Sequence, residues 1–183
     1  MDITPCIPVP RLIDIEGLGD LCAGISAVGD EPPRYAFLGV RPCDLWAIGR
    51  QDRVPGPPGA RYAARRAGVF IIAVNCTEPG ETCFCASVNA GPGAGPGFDL
   101  ALTELIDEAG HRFLVDVSSE EGADILTRVD SEWADDETVR RARSAVELAA
   151  DRMGRHLDGG DLRELMTDSY RAARWDELVK ETS

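Results

Sequence analysis

Apolar residues are spaced along this chain in three rhythms, and each rhythm predicts a different kind of element. Unbroken apolar runs occur at Tyr35-Ala36-Phe37-Leu38-Gly39-Val40, bounded by Pro32-Pro33 and Arg41-Pro42, and at Val69-Phe70-Ile71-Ile72-Ala73-Val74. Short runs of this kind suit strands buried on both faces. Between them, Leu45, Trp46, Ala47 and Ile48 follow Asp44, a residue type that caps helices, so a helix is expected from Leu45 with Asp44 as its cap. Pro55 to Gly59 is read as loop, and Arg61 to Ala67 as a short basic helix. Two buried strands joined by a helical crossover make a βαβ unit, whose sheet is parallel.

Alternation follows. Phe113, Val115 and Val117 alternate with Leu114 and Asp116, and the run Leu100 to Ile106 precedes them across Glu108-Ala109-Gly110-His111. A β-hairpin is the reading, with a helix left open for the first arm because Leu102, Leu105 and Ile106 also fit helical spacing. Glu120 to Arg128 reads as a short helix. Beyond Ser131 the rhythm becomes helical: Val139, Ala142, Ala145, Val146, Ala149, Ala150 and Met153 share one face, with acids at 135–137 and Arg152, Arg155 and His156 at the end the helix dipole favours. Gly159-Gly160 stops that helix, and Asp161 caps a second one running to about Lys180. The first thirty residues, with prolines at 5, 8 and 10, read as an irregular opening with one short helix. The expected fold class is α/β with α+β character: a short, mainly parallel sheet, an added hairpin and a carboxyl-terminal helical hairpin. An α/β body is placed over 1–130 and a helical extension over 131–183.

Composition narrows the function classes. The 183 residues are enough to bury a core, and 44% apolar content excludes a mainly disordered chain. No apolar run approaches the roughly 18 residues that cross a bilayer. Acidic residues number 32 against 19 basic ones, a net charge of −13, which repels phosphate backbones and anionic lipid and leaves a basic protein as the better partner. Met1-Asp2-Ile3-Thr4-Pro5 has no basic region followed by an apolar stretch, so no secretory signal is read and a cytoplasmic location is expected. In a reducing compartment, six cysteines point to metal binding or redox chemistry before structural disulfides.

Three of the six lie close together as Cys76-x6-Cys83-x-Cys85, directly after the second buried strand, and Cys43 follows the first in Arg41-Pro42-Cys43-Asp44. Parallel strands end on the same edge of a sheet, so the two loops are expected to meet there. Four convergent thiols suit an iron–sulfur cluster or a zinc ion. Zinc sites usually show Cys-x2-4-Cys pairs, which are lacking here, whereas a Cys-x-Cys turn on a wide loop fits a larger cubane more easily. A redox thiol pair and unligated, buried cysteines are the other readings. Cys6 and Cys22 are read as packing residues. Gly91 to Gly97 lacks the Lys-Ser/Thr ending of a P-loop and is read as a covering or disordered loop. The Asn75-Cys76-Thr77 sequon is set aside without a secretory signal. His111 is read as a turn residue, His156 as a helix-end charge, and Arg61, Arg65 and Arg66 as a solvated basic face that could dock an acidic partner.

Three blocks carry a resemblance: Phe37-Leu38-Gly39-Val40-Arg41-Pro42-Cys43-Asp44-Leu45, Tyr62-Ala63-Ala64-Arg65-Arg66, and Phe70 through Asn75-Cys76-Thr77-Glu78-Pro79-Gly80-Glu81-Thr82-Cys83-Phe84-Cys85. In this order they resemble the amino-terminal half of the iron–sulfur beta subunits of soluble NiFe hydrogenases (sulfhydrogenases) and of the related A subunit of anaerobic sulfite reductases. Gly97-Phe98-Asp99-Leu100, Gly110-His111-Arg112-Phe113-Leu114-Val115 and, more loosely, Trp175-Asp176-Glu177 continue it. The resemblance implies electron transfer between a catalytic and a flavin-containing subunit through [4Fe-4S] clusters, with Cys43, Cys76, Cys83 and Cys85 as ligands of one of them. It leaves Asp44 open as a ligand, a supporting group or the helix cap. In that family the Trp-Asp-Glu stretch leads into a ferredoxin-like part with two Cys-x2-Cys-x2-Cys runs, which this sequence does not contain. The alternative is a zinc-bearing or metal-free scaffold of the same kind of complex.

Overall fold

The computed structural model describes residues 11–14, 35–53, 62–63, 65–108, 110–157, 164 and 167–169. It is a mixed α/β fold. Strand β1 (Arg11–Asp14) comes first, then β2 (Tyr35–Val40), helix α1 (Pro42–Gln51) and β3 (Val69–Val74). The hairpin arms are β4 (Leu100–Asp107) and β5 (Gly110–Val117), followed by α2 (Glu120–Leu126), β6 (Glu132–Trp133) and α3 (Asp136–Asp151). Together the strands form one sheet in the order β2-β3-β4-β5-β1-β6.

The unbroken apolar runs became β2 and β3, paired in parallel with α1 between them, as the βαβ reading expects; β3 is buried, but β2 is an edge strand with Tyr35, Phe37 and Leu38 exposed instead of buried on both faces. β4 also pairs in parallel with β3, while β5 returns antiparallel to β4. The strands β2 to β5 are therefore mostly parallel, and an antiparallel margin of β1 and β6 is added beyond β5. The first hairpin arm is a strand, which removes the helical alternative. β1 was not expected. It lies in the proline-rich opening, where its pairing with β5 supplies a stability that no local rhythm announces. Arg11 anchors it by donating to the Ser131 carbonyl and hydroxyl at 3.0 and 2.6 Å and by stacking over Trp133 at 4.4 Å.

Alternation along the central strands sends two apolar sets to opposite faces. Phe70, Ile72, Leu100, Leu102, Phe113 and Val115 form one core with Leu126 of α2. On the other face, Ile71, Ala73 and Ala101 pack with Leu45 of α1, while Leu105 and Leu114 receive Ala142 of α3. Small residues at Ala73, Ala101 and Ala142 let the helices lie close. Asp99 pins the start of β4 to β3, its carboxylate accepting from the Ile71 amide at 2.7 Å and its own amide donating to the Ile71 carbonyl at 2.8 Å. The helical rhythm after Ser131 is α3, capped by Asp135, which accepts from the Thr138 amide at 2.7 Å. Of the expected second helix over 161–180, residues 164 and 167–169 are described and are helical; the rest of it, most of the opening thirty residues and Cys6, Cys22, Arg61 and Trp175-Asp176-Glu177 lie outside the described residues. Among the described residues, no helix is long and apolar enough to cross a membrane.

Candidate functional site

Parallel pairing sets the carboxyl ends of β2 and β3 side by side, and the chain following each end carries the thiols. After β2, α1 begins at Pro42, with Arg41 as its cap position and no side chain capping it. Proline at the first helical position starts the helix earlier than the Asp44 signal predicts, because its fixed φ is already helical and its missing amide is not needed there. Asp44 is thus not the cap. It stands in the first turn, where its charge complements the helix dipole. Cys43 is exposed at the same turn, and Pro42 beside it is buried.

After β3, Asn75 ties the loop to the sheet. Its side chain donates to Thr103 Oγ1 at 2.8 Å and accepts from the Ala94 amide at 2.7 Å, and Thr103 is only 2% exposed. Cys76 follows, its amide bonded to the Pro92 carbonyl at 3.1 Å. Cys83 and Cys85 flank Phe84, and Cys85 opens a 3-10 turn, Cys85–Val88, that ends on Asn89 in the left-handed region (φ 54°). Gly91 permits the closest approach at the site. A β-carbon there would lie 3.0 Å from Cys85 Sγ and 3.3 Å from Pro42 Cβ.

Burial, then the charges of Cys43, Cys76 and Cys83, push the Cys85 thiol above its ordinary value. Cys43, although exposed, is also raised, by the partial loss of water around it first and then by Asp44 and Cys76. These directions are opposite to the depressed values of nucleophilic or exchange-active cysteines, so the redox-pair reading gains no support from Cys43 or Cys85. Arg41 Nη1 donates toward Cys76 Sγ at 3.7 Å. Among the described residues, no three His, Cys, Asp or Glu side chains are grouped tightly enough to hold one metal ion as they stand.

The sequence reading missed a strap across this loop. Just past α3, residues 152–157 lie on the cysteine segment. The Arg155 amide donates to the Cys83 carbonyl at 3.2 Å, the Leu157 amide to Ser87 Oγ at 3.1 Å, and the Ala86 amide to Met153 Sδ at 3.4 Å. Met153 Sδ also stands 3.8 Å from Cys85 Sγ. Arg152 pairs with Glu78 at 3.0 Å and donates to the Thr77 carbonyl. His156, read as a helix-end charge, instead places Nδ1 3.1 Å from Ser87 Oγ. His111, read as a turn residue without a carboxylate, is in β5 and meets Glu104 Oε1 at 2.7 Å. A signal for that pair existed: the hairpin register makes Glu104 and His111 diagonal neighbours on one face. Of the basic face, Arg65 is exposed, while Arg66 pairs with Asp52 at 3.4 Å and donates to the Gly97 carbonyl at 3.3 Å.

No protein-family model, curated protein or solved structure matches the chain.

Proposed function

We propose that this chain is an electron-transfer subunit or domain that holds one [4Fe-4S] cluster through Cys43, Cys76, Cys83 and Cys85, as a non-catalytic relay within an oxidoreductase complex of the NiFe hydrogenase or sulfite reductase type. What supports the reading is that the segments bearing the thiols follow the paired carboxyl ends of β2 and β3, with Gly91 close to both Cys85 Sγ and Pro42, the neighbour of Cys43. The donor set fits: four sulfur ligands, no histidine among them, and a cation beside one. A bound cluster supplies reversible storage of one electron, and the protein's own groups do the rest. Arg41 offsets negative charge at Cys76. Gly91 leaves room beside Cys85, and Met153 covers it from the strap. Asp44 keeps a carboxylate beside Cys43 without a ligand role being required of it. The partners would be a flavin-containing and a catalytic subunit, in the cytoplasm, where the reducing environment keeps the thiols available.

Anaerobic purification tests this. The expected protein is brown, with a broad band near ~400 nm that bleaches on reduction, and contains iron and acid-labile sulfide. Serine at Cys83 or Cys85 removes the colour, while serine at Cys6 or Cys22 leaves it. A colourless protein with one bound zinc, or with no metal, would replace the relay with a scaffold role in the same kind of complex.

A further inference from the structure

A cavity with a volume of about 220 Å³ opens between α1 and the loop from Asn89 to Pro96, with Pro42 and Gly91 in its wall. Its charged lining residues are Arg50 and Arg53, and among the described residues no carboxylate lines it. That is notable in a chain with 32 acids and 19 bases. Asp52, the acid between the two arginines, is engaged elsewhere, accepting from Tyr62 at 2.7 Å and pairing with Arg66 at 3.4 Å. Arg50 is held at the cavity wall by stacking over Trp46, 4.4 Å from the ring centroid. Opposite stand Gly91, Gly93 and Gly95. The Ala90 and Ala94 amides are used by the Cys85 carbonyl and Asn75 Oδ1, whereas within the described residues those of the three glycines are not.

From this arrangement we infer an oxyanion-binding site: a small tetrahedral anion of the phosphate or sulfate class seated between the Arg50 and Arg53 guanidinium groups and the glycine-rich loop. Guanidinium groups grip such oxygens in pairs, and in the inferred site the amides of the glycine-rich loop add further donors. The volume sets the size class, since pockets for drug-sized ligands begin at about 300 Å³. The −13 charge of the whole chain opposes anions at long range, so binding rests on these local donors and weakens with salt. The site does not rest on the cluster reading, because none of the four thiols lines it.

Titration of the full-length protein with inorganic phosphate and with sulfate, followed by calorimetry and tryptophan fluorescence, tests the inference. Saturable binding with a Kd of about 1 mM or tighter is expected, weakened at least tenfold by Arg50→Gln and by Arg53→Gln. Trp46→Phe removes the fluorescence change, which assigns that signal to this cavity. Chloride at matched ionic strength gives no saturable signal. An equal response to chloride, or unchanged binding in both arginine variants with circular dichroism like the parent, overturns the site. Either result leaves the colour and iron content of the thiol site unaffected, so the two readings fail separately.

Discussion

Gly154 is the point at which the strap is most sensitive to a single atom. A β-carbon there would fall onto the Glu81 carbonyl oxygen and stand 2.7 Å from both the carbonyl carbon and Cα of Glu81. The obstacle is backbone, which cannot swing away as a side chain would. The φ of Gly154 is outside the left-handed region, so alanine is not strained by conformation, and the whole cost comes from the collision. Forced overpacking costs about 1–3 kcal/mol. Relief comes only by lifting the strap, which surrenders the bonds from Arg155 to Cys83, Leu157 to Ser87 and Ala86 to Met153, each worth roughly 0.5–1.5 kcal/mol. Against this, alanine gains about 0.4–1 kcal/mol by restricting the unfolded chain. Gly154→Ala is therefore expected to destabilise the strap by about 1–3 kcal/mol. Gly49→Ala is the internal reference: a β-carbon there meets nothing within 4 Å in the interior of α1, so a stabilisation of about 0.5–1 kcal/mol is expected.

Hydrogen exchange read by mass spectrometry over 83–90, with thiol labelling of Cys85, separates a local from a global effect. Gly154→Ala should speed exchange at Ala86 and labelling of Cys85 about tenfold or more, with a smaller loss in urea-unfolding stability. If Gly154→Ala matches Gly49→Ala in sign and leaves Cys85 labelling unchanged, the strap is not held by the 81–154 approach and the reasoning fails.

Three further outcomes follow from the packing. Gly122→Ala brings a β-carbon within 2.7 Å of the Asp99 carbonyl and 3.0 Å of Leu100 Cδ2; the collision outweighs the helix-propensity gain of about 1 kcal/mol, so the thermal midpoint drops, and a rise would show that α2 shifts freely. Asn75→Ala leaves buried Thr103 and the Ala94 amide without their partner, costing about 2–3 kcal/mol and loosening 91–97 in hydrogen exchange, whereas a neutral result would mean water replaces the side chain. The Asp116 carboxyl is pushed up by burial, with Arg143 partly opposing it. Folding thus favours its proton, so its contribution to stability is full below the ordinary aspartate value and is lost as pH rises through the raised one. Asp116→Asn accordingly raises the melting temperature at pH 7 and gains progressively less toward pH 4; a lower midpoint at pH 7 would show that the Arg143 attraction dominates.

What could be read from the sequence was whatever a local rhythm encodes. β2, β3, the hairpin and α3 announce themselves by runs, alternation and helical spacing, because their apolar faces must match their own period. β1 does not, since four residues beside prolines become a strand only through β5. That the segments bearing Cys43 and Cys76 follow neighbouring strand ends was legible because a parallel crossover has one geometric outcome. Asp44 misled because a proline two residues earlier outranked it as a helix start. The Met153–Leu157 strap was illegible in principle: its bonds run between backbone groups and small polar side chains about 70 positions apart, and no spacing rule reaches that far.

That separation also fixes an order of events during synthesis. Ser87 and Leu157 are 70 positions apart in the chain, so at a translation rate of 5–20 residues per second the cysteine loop leaves the ribosome roughly 4–14 s before its strap. For that interval the thiols of 43–85 are present with nothing of the strap laid across them. Once residue 157 has arrived, Met153 Sδ stands 3.8 Å from Cys85 Sγ. A reagent that attacks Cys85 therefore meets a nascent chain and a finished one as different reactants, the second with the strap in place.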